Sequence, residues 1–217
     1  MVDATARKRY PNSSVSFDFE TIRQQLSGRV AKRQDQSGIE RRAAVAAILR
    51  PGPADTEVLL IRRAERPGDP WSGHMAFPGG HANASDPDLR ATAMRETFEE
   101  VGLDLAAHDY LGQLDELAAM ARGRTVGMSI APHVFSVRSD GPLTLRPNYE
   151  VAELVWGSLG KMFRGEIDTT KELTLAGQTR ELPAFQVQGH VVWGMTYYML
   201  RSLFQLLGED ARVIEPH

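Results

Sequence analysis

The sequence predicts an α/β fold, a mixed sandwich in which helices pack on a sheet. Three observations lead to it. Short apolar runs bounded by Pro and Gly recur between Ala43 and Phe77, and again between Leu111 and Trp193. One well-capped helical pattern, Ser85 to Gly102, separates the two sets of runs. A strongly apolar helical pattern, about Met195 to Leu207, closes the chain.

Taken in order, residues 1–16 are polar without hydrophobic period and read as an arm. Phe17 to Arg33 reads as a short amphipathic helix, because Phe19, Ile22, Leu26 and Val30 recur at helical spacing. Gln34 to Gly38 is a break. Ala43–Leu49 is a strand ended by Pro51-Gly52. Val58–Ile61 is a second, ended by Arg62-Arg63 and the Pro/Gly-rich stretch Pro67–Gly73. Met75–Phe77 is a third, closed by Pro78-Gly79-Gly80. In the helix that follows, Asp86 suits the N-cap, Pro87 the first helical position and Gly102 the C-terminal cap, with Leu89, Ala93, Phe98 and Val101 facing the core. Further strands are expected near Leu111–Leu117, Ser129–Val137, Val151–Trp156, Leu182–Val187 and His190–Trp193. The organisation is an N-terminal arm and short helix over 1–40, one domain over 41–210 and a tail over 211–217.

A chain of 217 residues with 42% apolar content can bury one sizeable core. The formal net charge of −3 gives no electrostatic reason to expect nucleic acid or a membrane surface as partner. There is no cysteine, so disulfides, thiolate metal sites and cysteine nucleophiles are excluded. No apolar stretch reaches bilayer-spanning length, and the polar N-terminus has no signal-peptide core, so a cytoplasmic protein is expected.

The chemistry concentrates in Phe77–Leu103, FPGGHANASDPDLRATAMRETFEEVGL. Glu96, Glu99 and Glu100 stand at i, i+3 and i+4, on one face of a helix. Like charges at this spacing destabilise a bare helix by roughly 0.2–0.5 kcal/mol per pair. A hard dication such as Mg²⁺, which favours carboxylate oxygens and keeps several waters, turns that cost into a binding site. Arg95 precedes Glu96, lies four residues before Glu99, and can orient a carboxylate. Gly79-Gly80 lets backbone come close to a metal or to phosphates. An isolated acidic patch of this kind is more often a solvated helix face; the strings around it decide otherwise.

Arg95-Glu96-Thr97-Phe98-Glu99-Glu100-Val101-Gly102-Leu103 resembles the second half of the Nudix box, G-x5-E-x7-R-E-U-x-E-E-x-G-U with U apolar, except that Thr97 takes an apolar position. Gly80 supplies the first glycine. Asp86 lies where the first Glu belongs, with one extra residue before Arg95, a departure that touches the helix start. The same Asp and extension after FPGG resemble the coenzyme A pyrophosphatase branch. Val58–Gly80 is similar to that branch's LLTxRS…G…FPGG stretch: Arg63 and Gly73 fit, while Ile61 and Ala64 replace Thr and Ser. Ala131-Pro132-His133-Val134, Glu150-Val151-Ala152-Glu153, Leu182-Pro183-Ala184-Phe185 and Trp193-Gly194-Met195-Thr196 also look familial, so the resemblance covers about residues 42–207.

The resemblance implies an α/β/α sandwich around a mixed sheet, to which the N-terminal helix read from its spacing adds an extension. It implies a Mg²⁺- or Mn²⁺-dependent hydrolase of a small-molecule diphosphate. Glu96, Glu99 and Glu100 would hold metal, Arg95 would orient them, and Glu96, Arg95 and Glu100 would carry catalysis. Arg63, Gly79 and Gly80 would meet substrate. The general base stays open among Glu96, Glu116, Glu150 and Glu153. Coenzyme A or a relative is the leading substrate; ADP-ribose, NDP-sugars or nucleoside triphosphates are the alternative, and a non-catalytic nucleotide-binding module is a third reading.

Lesser signals carry two readings each. Arg62, Arg63 and Arg66 either hold a substrate phosphate or form a solvated strand end. His74 sits near the box and reads first as a satisfied histidine. His81 and His133 share no metal-ligand spacing. Trp156 and Trp193 are expected in the core, and Trp71, in its Pro/Gly-rich loop, is the candidate for stacking on a base. The apolar last helix is read as core, any leftover stripe serving a homodimer.

Overall fold

The structure, a computed structural model, describes residues 17–35, 37–121, 124–137, 143–175 and 177–208. The arm expected over 1–16 and the tail over 211–217 lie outside the described residues.

A short helix α1 (Phe19–Leu26) opens the described chain, with Asp18 accepting a hydrogen bond from the Thr21 N–H as its N-cap. The strands β1 (Arg41–Pro51), β2 (Thr56–Arg63), β3 (Met75–Ala76) and β4 (Gly79–His81) follow, then the helix α2 (Leu89–Val101). After it come β5 (Asp109–Gln113), β6 (Leu117–Ala121), β7 (Arg124–Ser136) and β8 (Val151–Ser158), then the short helix α3 (Leu159–Phe163). A three-stranded sheet of β9 (Asp168–Leu175), β10 (Gln178–Val187) and β11 (His190–Trp193) leads into the helix α4 (Gly194–Leu206).

The first eight strands form one mixed sheet with the path β3-β2-β1-β7-β5, to which β4 adds on β1, β6 on β7 and β8 on β2. Only the β1–β7 pair is parallel among the described pairings, running from Arg41↔Met128 to Leu49↔Ser136. Strand alternation sends the side chains of β1 to two cores. Ala44, Ala46 and Ile48 join Ala93 and Val101 under α2; Ala47 and Leu49 join Ile22 of α1, Phe163 of α3 and Leu200, Leu203 and Phe204 of α4 on the other face. The expected sandwich of helices on both faces of a mixed sheet, with a short N-terminal helix, is the observed fold. No described helix is long and apolar enough to cross a membrane.

Several elements differ from the sequence reading. The helix expected over Phe17–Arg33 stops at Leu26, because Gly28 takes a left-handed conformation (φ 71°) and ends the turn. Val30, assigned to its apolar face, is 89% exposed. The segment beyond runs along the β5–β6 connection, where Asp115 accepts from the Lys32 N–H and from Arg29, and Glu116 accepts from the Gln34 N–H. The helix expected from Ser85 begins at Leu89, because Asp88 rather than Asp86 is its cap, accepting from the Ala91 N–H at 2.8 Å. Phe98, expected in the core, is 59% exposed. Thr97 takes the inner position instead, fully buried, its hydroxyl donating to the Ala93 carbonyl at 2.7 Å. The turn expected at Gly79-Gly80 is the strand β4, and α3 and β9 had no expected counterpart.

The apolar stripe of α4 is taken up by the core: Met199, Leu200, Leu203 and Phe204 are buried, and Phe204 meets Phe17, Phe163 and Phe185 edge-on. Trp156 and Trp193 are only half-buried, Trp156 under the Arg50 guanidinium at 3.9 Å and Trp193 against the His74 ring at 4.7 Å.

Truncating Phe204 to Ala therefore removes packing from three aromatic neighbours at once and should cost about 3–5 kcal/mol. Phe98→Ser, on the solvent side of α2, should change stability by about 0.5 kcal/mol or less. Urea denaturation of the two variants checks the contrast.

Candidate functional site

The site is built where α2 lies against β4 and β1. Glu100 is 3% exposed, yet it is a carboxylate, and its Oε2 accepts from the Gly79 N–H at 2.9 Å. Burial is the main reason its pKa is pushed up to about 7; the Gly79 N–H and the Arg63 charge oppose the rise, while the charges of Glu96 and Glu150 add to it. Glu96 is also raised, again chiefly by burial, with Arg95 opposing and Glu99 and Glu150 adding. Glu99 stands a turn away with its side chain half exposed.

Arg95 braces this face. Its guanidinium donates to both oxygens of Asp86 at 3.0 Å, to the His81 carbonyl at 3.0 Å, to Glu96 at 2.9 Å and to Glu99 at 3.2 Å. Asp86 also accepts from the Asn83 N–H and the Thr92 hydroxyl. These donors, Arg95 foremost, hold the Asp86 carboxyl far below the usual carboxylate range. Asp86 thus has a different role from the expected cap: it anchors the loop before α2 to the arginine that orients two of the three glutamates.

The two glycines act differently. Gly79 adopts φ 152°, and a Cβ there would collide with the Ala44 carbonyl and the Val45 backbone on β1. A Cβ on Gly80 would run into the Glu96 carboxylate. Gly79 therefore permits strand pairing, and Gly80 leaves room for a carboxylate above the sheet.

Of the carboxylates left open as general base, Glu116 is buried and held by Arg42 at 2.7 Å and by the Gln34 N–H. Glu153 faces Arg62 at 3.5 Å and His190 at 3.1 Å. Glu150 is the one whose charge reaches both Glu96 and Glu100. Its segment caps α2: the Arg146 and Asn148 N–H groups donate to the carbonyls of Val101 and Glu100 at 2.8 Å. Arg66 donates to Glu150 at 2.8 Å.

The arginines before the box are paired rather than a free basic patch. Arg62 faces Glu153, Arg66 binds Glu150, and Arg63 donates to Asp69 at 2.7 Å while its Nε is buried without a partner. Trp71 donates from its indole to the Met120 carbonyl and packs on the Ala43, Ala119 and Met128 cluster. His74 is half-buried, which lowers its pKa, with Asp69 opposing. His81 is exposed, and His133 is buried with Nδ1 against the Tyr110 hydroxyl at 3.0 Å, so the two form no common site.

Among the described residues no three acidic or histidine side chains converge closely enough to cage a bare ion. Glu96, Glu99 and Glu100 form an open row instead. Burial raises the pKa of both Glu96 and Glu100, and the Glu96 charge adds to the rise at Glu100. Such a row of hard oxygen donors suits a hydrated dication, which binds through few carboxylates and keeps waters for an incoming phosphate. The donor set therefore fits Mg²⁺ or Mn²⁺.

Known proteins share this architecture. The NUDIX domain profile matches residues 40–176. The chain is 29% identical over 208 residues to the mitochondrial coenzyme A diphosphatase of Mus musculus, covering 91% of each. It is 39% identical over 116 residues to an uncharacterised protein of Schizosaccharomyces pombe, a match that spans 52% of this chain and only 35% of that one. The solved bifunctional NMN adenylyltransferase/ADP ribose pyrophosphatase of Francisella tularensis superposes with a TM-score of 0.51 at 15% identity, over 87% of this chain and 45% of that one, a likeness of fold.

Gly79→Ala should destabilise the chain by about 2 kcal/mol or more, since it meets backbone at a strained φ. Gly80→Ala should stay within about 1 kcal/mol of the parent but displace Glu96, lowering kcat by about a hundredfold. Thermal melts and steady-state kinetics separate the two.

His133 gives a pH signature of stability. Burial lowers its pKa from 6.5 to about 4, so the unfolded chain binds a proton that the folded chain refuses. Stability from this residue is complete above pH 6.5 and falls as pH drops toward 4, by on the order of 3 kcal/mol. His133→Gln should flatten that part of the stability–pH curve.

Proposed function

The chain belongs to the Nudix hydrolases, a family of diphosphatases, and from that premise we propose that it cleaves the diphosphate linkage of coenzyme A or a close relative. The substrate class is supported by the likeness to the mouse coenzyme A diphosphatase, which extends over nearly all of both chains. The observation that carries the chemistry is the buried Glu100 carboxylate, held by the Gly79 N–H beside Glu96.

Glu96, Glu99 and Glu100 would hold Mg²⁺ or Mn²⁺. A dication there would supply positive charge against the diphosphate oxygens and ease deprotonation of the attacking water. Arg95 fixes the Glu96 and Glu99 carboxylates in place, so little reorganisation accompanies substrate entry. The Gly79-Gly80 backbone sets the near edge of the site, and Arg63 places a positive charge on its inner side. We assign Glu150 as the proton acceptor, since its segment folds onto the end of α2 and its charge bears on both Glu96 and Glu100. Water oxygen bonds to one phosphorus, the bond from that phosphorus to the bridging oxygen breaks, and the water proton passes to the Glu150 carboxylate. No covalent enzyme intermediate is needed. The products would be a phosphopantetheine half and an adenosine 3′,5′-bisphosphate half.

Product analysis with Mg²⁺ and coenzyme A, ADP-ribose, NADH, UDP-glucose and dGTP offered in parallel tests the reading. Coenzyme A should give the highest kcat/KM. Glu100→Gln should lose on the order of 10²–10³ in kcat with unchanged circular dichroism, and Glu150→Gln about 10²–10⁴ with little change in KM. Preference for another diphosphate would replace the substrate; full activity in Glu100→Gln would overturn the site.

A further inference from the structure

Tyr149 is 81% exposed, one of few large hydrophobic side chains among the described residues to stand in solvent. Exposed tyrosines are ordinary in isolation; the surroundings of this one are not. The Arg66 guanidinium lies 5.1 Å from its ring centroid and at the same time donates to Glu150 at 2.8 Å. Glu150 is fixed from its other side, where its carbonyl accepts from the Ala64 N–H at 2.7 Å and its N–H donates to the Asn148 side chain at 2.7 Å. Asn148 in turn binds the Glu100 carbonyl at 2.8 Å. The ring therefore stands on the segment that caps the C-terminal end of α2, in a network that reaches the backbone of Glu100.

We propose that Tyr149, backed by Arg66, is the platform on which the substrate nucleobase stacks while the diphosphate lies along Glu96, Glu99 and Glu100. The aromatic face offers an apolar, polarisable surface that every base can use, and the arginine limits the ring's freedom and adds a cation beside it. Trp71, the aromatic that the sequence singled out for this role, is engaged with Met120 and the core at Ala119 and Met128. The proposal rests on the diphosphatase reading of the site and adds to it the residue that recognises the nucleoside half.

Stacking of one base on an aromatic side chain is worth about 1–3 kcal/mol, at least about fivefold in affinity. Calorimetry in Mg²⁺ tests it with two ligands that the chain does not hydrolyse: adenosine α,β-methylene diphosphate and its base-free counterpart, methylenediphosphonate. Tyr149→Ala should weaken the adenosine ligand about tenfold and the base-free ligand less than twofold, and Tyr149→Phe should keep both. Equal weakening of the two ligands, no weakening of either, or a parent chain that binds both equally would overturn the platform. Because binding is read without turnover, a chain that binds adenosine diphosphate analogue through Tyr149 but does not cleave coenzyme A keeps the platform and discards the substrate. Loss of base discrimination in a chain that cleaves coenzyme A normally does the reverse.

Discussion

The hydrogen bond from the Gly79 N–H to the buried Glu100 carboxylate sets what the rest of the fold must do. A carboxylate on the inner face of a helix is costly to bury unless it finds donors. Here the helix can lie close only because its neighbours are small: Ala93 and Thr97 on α2, Ala44 and Ala46 on β1, and Gly79 and Gly80 on β4. The alanine-rich first strand and the glycine pair are thus parts of one constraint. The result is a buried carboxyl group whose pKa is raised by burial, one helical turn from Glu96 on α2.

Around that contact the molecule supplies opposite charge in measured places. Arg95 joins the loop through Asp86 and His81 to the helix through Glu96 and Glu99. At the far end of α2 the segment Arg146–Glu150 takes the free carbonyls of the last turn and brings Glu150 into the field of the box. Arg66, just beyond β2, fixes Glu150 in its turn. Three stretches distant in sequence therefore meet at one patch, while α4 covers the opposite face of the sheet and packs with it into the second core.

Much of this was legible in the residues. The strands over Ala43–Leu49 and Val58–Ile61 declare themselves by length and turn residues, and Gly102 does end α2 in a left-handed cap (φ 70°). The row of three glutamates was visible because helical spacing alone puts them on one face. What local pattern could not resolve was competition between equivalent signals. Asp86 and Asp88 both suit a cap, and only the tertiary partner Arg95 decides between them. Thr97 and Phe98 are adjacent, and hydropathy favours the wrong one because close helix–sheet approach selects for size. Gly28 was a stop signal that the spacing of Val30 outweighed. Glu150 was one of several acids, and nothing nearby in sequence says that its segment folds back over α2; the neighbouring Tyr149 gave no signal at all.

In the proposed site Glu96, Glu99 and Glu100 would bind a dication that the diphosphate then shares. Titration of Mn²⁺ followed by the electron paramagnetic resonance of the free ion tests it directly. The parent chain should remove free Mn²⁺ from solution, adenosine α,β-methylene diphosphate should tighten the binding, and Glu96→Gln combined with Glu100→Gln should lose both effects while the fold persists. Equal Mn²⁺ binding by the parent and the double variant would contradict it.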